Sequence, residues 1–168
     1  GAETSCKLLA EQLAKRGHNG FYLTSDADIK AQKRARSVNV SLHALPNLRG
    51  HRFRLIRYIL AQRWWIALGY LTWRHRVDLI YCFYEVSVVS AALSVRAKLG
   101  HPKVVMRMAG LHWYITTKKH PIKIPQYEYI FNNVDSVNFI SAGLMPLTAS
   151  KIAELNLNSE FRHSRVLD

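Results

Sequence analysis

Chemically versatile side chains stand at or just after the ends of three apolar runs in this sequence, at 77–83, 103–108 and 136–140. Runs of this composition are typical of parallel strands that are buried on both faces. Open parallel sheets bind ligands beyond the carboxyl ends of their strands, so residues placed there are candidates for binding or catalysis. These candidates are Tyr84, Glu85, Arg107, Gly110, His112 and Ser141.

The chemistry of the candidates leaves alternatives open. Glu85 suits a base or an acceptor of a sugar hydroxyl, although a glutamate that caps the following helix is the commoner arrangement. Arg107 interrupts a strand of Val and Met, where a guanidinium needs an anionic partner, either a substrate anion or Glu85. His112 and Trp113 either line a pocket or pack in the core. No residue is identified as catalytic.

Two further segments carry candidate phosphate contacts. Gly1 and Ala2 suit a tight turn before a helix that ends at Gly17, and this turn either offers backbone N–H groups to a phosphate or merely needs small residues. We expect a strand to precede such a turn. Lys118, Lys119 and His120 form the tip of a predicted loop at 111–123, and they are either solvated or bind a phosphate.

Helices and strands alternate along the chain. Strands are predicted at 21–24, 38–42, 77–83, 103–108 and 136–140, and helices at 1–16, 51–75 with a break near Gly69, 86–99, 125–133 and 146–155. A further strand begins near Val166. This order predicts a Rossmann-like, doubly wound α/β fold with a mostly parallel sheet, in a single domain over residues 1–168 whose first strand is not in the sequence.

The composition restricts the class of protein and its partners. The chain of 168 residues has 24 Lys and Arg against 11 Asp and Glu, a net charge of +13, which indicates an anionic partner. A hydrophobic content of 49% excludes a disordered chain. Two cysteines without motif spacing fit a reducing compartment, and no run approaches the about 20 apolar residues of a membrane span.

The segment 51–76 holds six arginines and no acidic residue. Arginine interleaved with tryptophan is typical of a helix that lies on an anionic membrane surface. The alternative is a core helix with outward arginines, whose packed face would carry Ile66, Tyr70 and Trp73. The residues predicted for the membrane surface are Arg52, Arg57, Arg63, Trp64, Trp65 and Trp73.

Four stretches together resemble the amino-terminal domain of GT-B glycosyltransferases of the group 1, or family 4, type. GAETSCKLLAEQLAKRGHNGFYLTS is similar to that family's small-residue turn, helix, RGH and second strand. VDLIYCFYEVSVVSAALSVRAKLGHPKVVMRMAG resembles its strand, small-residue helix and G-x-P-x-V-V unit. The segment from Tyr127 to Asp135 and the following SVNFISAGLMPL resemble the next helix and strand.

The resemblance implies the acceptor-binding half of a two-domain hexosyltransferase. The Gly1–Ala2 turn would face the donor diphosphate, and the half that binds the nucleotide sugar would follow Asp168, so we expect the chain alone to be inactive. No cofactor or metal is implied. Many members have His-Gly where this chain has Ala109 and Gly110, so the role of that histidine is not transferred to His112.

The resemblance also implies partners and a pathway. The acceptor would be a saccharide or a lipid-linked sugar in polysaccharide, lipopolysaccharide or glycolipid synthesis, at the cytoplasmic face of an anionic membrane. The alternative from the residues is a basic α/β module that binds nucleic acid. Its hallmark is aromatic stacking along a basic groove, whereas the tryptophans here fall mainly on one predicted helix, so nucleic acid is disfavoured as a partner.

Overall fold

A computed structural model describes residues 2–25, 40–45, 62–83, 85–159 and 164–166. The elements in this part of the chain are α1 (Ala2–Lys15), β1 (Gly20–Ser25), β2 (Val40–Leu45), α2 (Arg63–His75), β3 (Leu79–Phe83), α3 (Val86–Leu99), β4 (Lys103–Met108), α4 (His112–Lys119), a 3₁₀ turn (Pro121–Lys123), α5 (Ile124–Asn133), β5 (Ser136–Phe139), α6 (Leu144–Glu154) and β6 (Ser164–Val166). The chain forms two compact units, Gly1–Ala67 and Leu68–Asp168.

The first unit contains α1 and a parallel strand pair. Helix α1 is followed by Gly17, whose φ of +86° is in the left-handed region that glycine adopts without strain. Strands β1 and β2 pair in parallel with Gly20 opposite Val40. The predicted helix and first strand are confirmed, and the second strand extends three residues beyond the predicted 38–42, to Leu45.

The second unit contains a parallel sheet with the strand order β3-β4-β5-β6. Each neighbouring pair is parallel, which requires a crossover connection between the two strands. Helix α3 connects β3 to β4, α4 and α5 connect β4 to β5, and α6 lies between β5 and β6. The predicted α/β, Rossmann-like class with parallel strands is therefore confirmed.

The faces of β3, β4 and β5 differ in burial. One face is fully buried and carries Ile80, Cys82, Val104, Met106, Met108, Val137 and Phe139. Helices α3 and α5 pack near this face, since Met106 and Met108 line one small pocket with Val89 and Ile130. The opposite face is half-buried and includes Arg107. The fully buried residues of these three strands thus share one face of the sheet.

Helix α2 is continuous through Gly69, so the predicted break there is wrong. A Cβ at Gly69 would lie 3.7 Å from Val95 Cγ2 of α3, an ordinary van der Waals distance, so α2 is near α3 at this position. Leu68, Leu71 and Thr72 form the buried face of α2. The face suggested for core packing is exposed instead, and it consists of Ile66, Tyr70 and Trp73.

The loop predicted at 111–123 is also wrong, because this segment forms α4 and the 3₁₀ turn. Its β-branched residues, Ile115, Thr116 and Thr117, have modest helix propensity, which favoured a loop. Tertiary burial reverses that preference: Trp113 and Thr117 are buried one turn apart, and the Thr117 hydroxyl donates to the Trp113 carbonyl at 3.1 Å.

The other predicted elements of this unit agree with the structure within two residues at each end. Helix α3 and strand β4 match their predicted bounds. Strand β3 begins at Leu79, later than the predicted 77, because the chain first closes α2. The Val77 N–H donates to the Thr72 carbonyl at 3.3 Å, and Arg76 has a φ of +48°.

Candidate functional site at the carboxyl ends of β3, β4 and β5

The strand register brings the ends of three strands together. Phe83 of β3 is opposite Arg107 of β4, which is opposite Asn138 of β5. Register partners in a parallel sheet point to the same side, so these side chains share the half-buried face. The Ile140 N–H also donates to the Met108 carbonyl at 3.3 Å, which continues the β4–β5 contact past the strand ends.

Arg107 is held against an aromatic ring. Its guanidinium carbon lies 5.2 Å from the centroid of the Phe83 ring, within the range of a cation–π contact. Among the residues that the structure describes, Arg107 and Glu85 form no ion pair. The suggested pairing of Arg107 with Glu85 is therefore not formed. A substrate anion is the other partner that the sequence suggested for Arg107.

Glu85 occupies the N-cap position of α3 without capping it through its side chain. Its backbone carbonyl accepts hydrogen bonds from the N–H groups of Val88 and Val89, both at 3.0 Å. Its exposed carboxylate accepts a hydrogen bond from the Ser87 hydroxyl at 2.8 Å instead. The carboxylate is thus oriented by a neighbour and remains accessible to a ligand.

Gly110 and His112 lie where the chain leaves β4 and enters α4. A Cβ at Gly110 would meet no atom within 4 Å, so packing alone does not require glycine there. His112 is exposed and is the first residue of α4, whose N-cap residue Leu111 makes no side-chain capping bond. Helix N-termini without a side-chain cap favour anions, since their N–H groups lack intrahelical partners.

Trp113 belongs to the core, in line with one of its two predicted roles. Its ring meets that of Phe131 edge-on, with 5.1 Å between centroids. It also lines the pocket beside Met108, and its buried Nε1 has no hydrogen-bond partner among the described residues. Trp113 therefore has both of its predicted roles, and the other walls of the pocket come from α3, β4 and α5, which are separate in sequence.

Ser141 is exposed beyond β5. Its carbonyl accepts a hydrogen bond from the Leu144 N–H at 3.2 Å in the turn that leads into α6. Glu85, His112 and Ser141 therefore leave the same edge of the sheet from neighbouring strands. Such an edge, with carboxylate, imidazole and hydroxyl groups around Arg107, is suited to binding a polar ligand that carries negative charge.

The remaining site predictions differ in how far the structure describes them. Gly1, Tyr84, Arg52 and Arg57 lie outside the described residues, and Ala2 begins α1. The described members of the predicted membrane surface are Arg63, Trp64, Trp65 and Trp73. The first three are half-buried and Trp73 is 67% exposed. No helix of the described part of the chain is long and apolar enough to cross a membrane.

A charged cluster that the sequence did not suggest joins α4 to α6. The Tyr114 hydroxyl donates to Glu154 Oε1 at 2.5 Å, and Lys151 Nζ lies 2.5 Å from Glu154 Oε2. Lys118 and Lys151 also contact the Tyr114 ring, with Nζ 5.4 and 4.9 Å from its centroid. Tyr114 and Glu154 are 40 residues apart in sequence, so no local pattern reveals the contact between the two helices.

The cluster shifts the titration of its members. Hydrogen bonds from Lys151 and then Tyr114 lower the pKa of Glu154 from 4.5 to about 2. The pKa values of Lys118 and Lys151 are raised, chiefly by hydrogen bonds with Tyr114 and Glu154 respectively. Two lysines share one carboxylate here, so the cluster retains positive charge at neutral pH.

The potential metal ligands among the described residues are dispersed, and the thiol of Cys82 is buried. There, no group of three or more His, Cys, Asp or Glu side chains is placed to hold a metal ion. Cys82 is buried in β3, and burial raises the pKa of its thiol to about 12. A thiol with that pKa is a poor nucleophile at neutral pH.

The parallel strands and crossover helices of the second unit form a Rossmann-like α/β fold. A sequence profile of Glycosyltransferase Family 4 matches residues 1–145, which include β1 to β5 and the start of α6. The chain therefore belongs to this family and is an amino-terminal domain of the GT-B type, as the resemblance implied. A search of curated proteins finds no match to the chain.

Proposed function

We propose that this chain is the acceptor-binding half of a hexosyltransferase, which moves a sugar from a nucleotide-sugar donor to a saccharide or lipid-linked acceptor. The observation that carries the proposal is the family match over residues 1–145. That span includes the strand ends where Glu85, Arg107 and Ser141 lie. In open α/β sheets ligands bind at this edge, which supports these residues as the acceptor site.

The side chains at this edge suit a sugar joined to a phosphate. Carboxylate and hydroxyl groups, such as those of Glu85 and Ser141, hydrogen-bond sugar hydroxyls. A guanidinium binds a phosphate through two parallel N–H hydrogen bonds. The Phe83 ring orients the guanidinium of Arg107. A lipid-linked acceptor with a phosphate or pyrophosphate would engage both kinds of group.

The donor side of the reaction is proposed to lie outside these 168 residues. The Gly1–Ala2 turn would face the donor diphosphate, and a second domain would bind the nucleotide. We expect the reaction to need no metal cofactor, because GT-B transfer relies on protein groups around the diphosphate. The product would enter polysaccharide, lipopolysaccharide or glycolipid synthesis at the cytoplasmic face of the membrane.

The charge of the chain favours a membrane-borne acceptor. Its net charge of +13 draws it toward anionic lipid, by about 1 kcal/mol for each Lys or Arg near the surface. At the end of α2, the exposed Trp73 is followed by the exposed Arg74 and, just beyond the helix, by the exposed Arg76. An aromatic ring beside arginines suits the headgroup region, so α2 stays a candidate for membrane contact.

Sugar transfer tests the proposal. Radiolabelled UDP-hexoses and polyprenyl-phosphate acceptors are incubated with the chain alone and with the chain fused to a nucleotide-sugar-binding domain of a family 4 enzyme. We expect product from the fusion only, and less product when the fusion carries Arg107→Gln. Efficient transfer by the chain alone would contradict the division into two halves. An active fusion unaffected by Arg107→Gln would remove Arg107 from the acceptor site.

A further inference from the structure

An isoleucine stands almost fully in solvent between α4 and α5. The side chain of Ile122 is 90% exposed, more than any other large hydrophobic side chain in the described part of the chain. It lies in the 3₁₀ turn, which Pro121 begins and which returns the chain into α5. Helix α4 ends just before it at Lys119, so Ile122 projects from the apex of a helical hairpin. We refer to residues 118–123 as the basic tip.

The tip is surrounded by positive charge. Lys118, Lys119, His120 and Lys123 are all exposed. No Asp or Glu occurs between Glu85 and Glu128, so the sequence around the tip offers no local counter-charge. Lys118 is engaged by Tyr114 and Glu154, whereas Lys119 and Lys123 form no ion pair with any described residue. The tip therefore combines one exposed aliphatic side chain with uncompensated ammonium groups.

The geometry points to an anionic lipid bilayer as the partner of the basic tip. We propose that Ile122 enters the interface while Lys119 and Lys123 contact headgroup phosphates. Ile115, which is exposed on α4 and shares a helix face with Lys119, extends the apolar surface of the tip. Apolar side chains bordered by lysines are what a protein needs to lie at such a surface.

The same features argue against other macromolecules. Nucleic acid binds through phosphate contacts and base stacking on aromatic rings, and the tip has no aromatic residue and an isoleucine at its apex. A protein partner needs a buried apolar core of many residues, which Ile122 and Ile115 do not supply. The inference rests on the proposed function, because a lipid-linked acceptor is located in a membrane.

Vesicle flotation with the chain of 168 residues tests the tip without any sugar. Vesicles contain phosphatidylcholine alone or with phosphatidylglycerol. We expect binding to the anionic vesicles only, about tenfold weaker for Ile122→Ser, since one isoleucine leaves the interface. The double variant Lys119→Ser, Lys123→Ser should bind more weakly and with less dependence on salt.

Two controls separate the tip from general charge and from misfolding. Tyr129→Ser changes an exposed side chain of α5 next to Glu128 and should bind as the unaltered chain does. Thermal unfolding should be unchanged in Ile122→Ser, because an exposed side chain contributes little to packing. As a gain-of-signal measurement, Ile122→Trp should add emission that shifts to shorter wavelength with anionic vesicles only.

The outcomes decide the proposal. Equal binding by Ile122→Ser and the unaltered chain would overturn it, and loss of binding in Trp73→Ala alone would assign the surface to α2. Binding to an oligonucleotide but not to anionic vesicles would also overturn it. Sugar binding is measured separately. A chain that binds an acceptor sugar but no vesicles would contradict membrane binding by the basic tip and would leave the proposed function unaffected.

Discussion

The guanidinium of Arg107 lies over the ring of Phe83, with the guanidinium carbon 5.2 Å from the ring centroid. The two residues are register partners on β4 and β3. The ring stabilises the charge on one side, and Glu85 does not neutralise it. A cation is thereby fixed at the edge of the sheet where ligands of open α/β folds bind. The affinity of the site for an anionic acceptor should therefore depend on Arg107.

We expect Arg107→Gln to weaken binding of a polyprenyl-phosphate sugar by about tenfold to hundredfold, because a charge-assisted hydrogen bond contributes about 1.5–3 kcal/mol. Binding of an uncharged methyl glycoside should change little. Isothermal titration calorimetry measures both affinities. Arg74→Gln, an exposed site on α2, is the matched control for net charge, and an equal loss there would contradict a local role for Arg107.

Asp135 should stabilise the fold rather than act on a ligand. Its Oδ2 accepts hydrogen bonds from Arg96 Nη1 at 2.6 Å and from the Val104 N–H at 2.7 Å, and its own N–H donates to the Val104 carbonyl at 2.8 Å. Asp135→Asn should lower the free energy of unfolding by about 1–2 kcal/mol, since the site is partly exposed. Urea titration measures this, and an unchanged midpoint would refute it.

Acid should release the contact between α4 and α6. The pKa of Glu154 is about 2 in the folded chain, against an ordinary 4.5. A lowered folded pKa means that the contribution of Glu154 to stability is complete above pH about 4.5 and is lost as the pH falls through about 2. The carboxyl carbon resonance of Glu154 reports its pKa directly.

The same titration in the Lys151→Met variant tests whether Lys151 is the cause of the lowered pKa of Glu154. The pKa of Glu154 should rise toward its ordinary value, because the hydrogen bond from Lys151 is the largest contribution to the shift. Added salt should act in the same direction at this exposed cluster. A Glu154 pKa that ignores both changes would show that Lys151 and Glu154 are not in contact in solution.

Cys82 should resist alkylation while the chain is folded. It is buried in β3, and its thiol has a pKa of about 12, so little thiolate exists at neutral pH. Mass spectrometry of the peptide that contains Cys82 should show modification by iodoacetamide in urea but little without it. Rapid modification of the native chain would mean that β3 opens readily or that the thiol is exposed.

The strands and α3 could be predicted because local pattern and tertiary environment agree there. The run at 103–108 contains Val104, Val105, Met106 and Met108, and it becomes β4, an interior strand of the sheet. Helix α3 ends at Gly100, whose φ of +73° suits glycine, so its end is encoded locally. The ligand edge follows from the same rule, since parallel strands place their carboxyl ends together.

The predictions from sequence fail where contacts between distant residues determine the local structure or the buried face. Helix α2 carries two apolar faces, and packing against distant elements, such as Val95 of α3 near Gly69, buries the one with Leu68 and Leu71. In α4, the burial of Trp113 and Thr117 outweighs the low helix propensity of the segment. The contact of Tyr114 with Glu154 also depends on the fold and has no signal in the sequence.

Mapping of ligand contacts by nuclear magnetic resonance tests the central claim most directly. Amide shifts of the isotope-labelled chain are followed with a panel of methyl glycosides and, separately, with UDP. An acceptor-binding half predicts that a glycoside shifts the amides of Glu85, Arg107, Gly110 and Ser141, and that UDP leaves them in place. Shifts by UDP at these residues, with none by any glycoside, would contradict the assignment of the acceptor side to this chain.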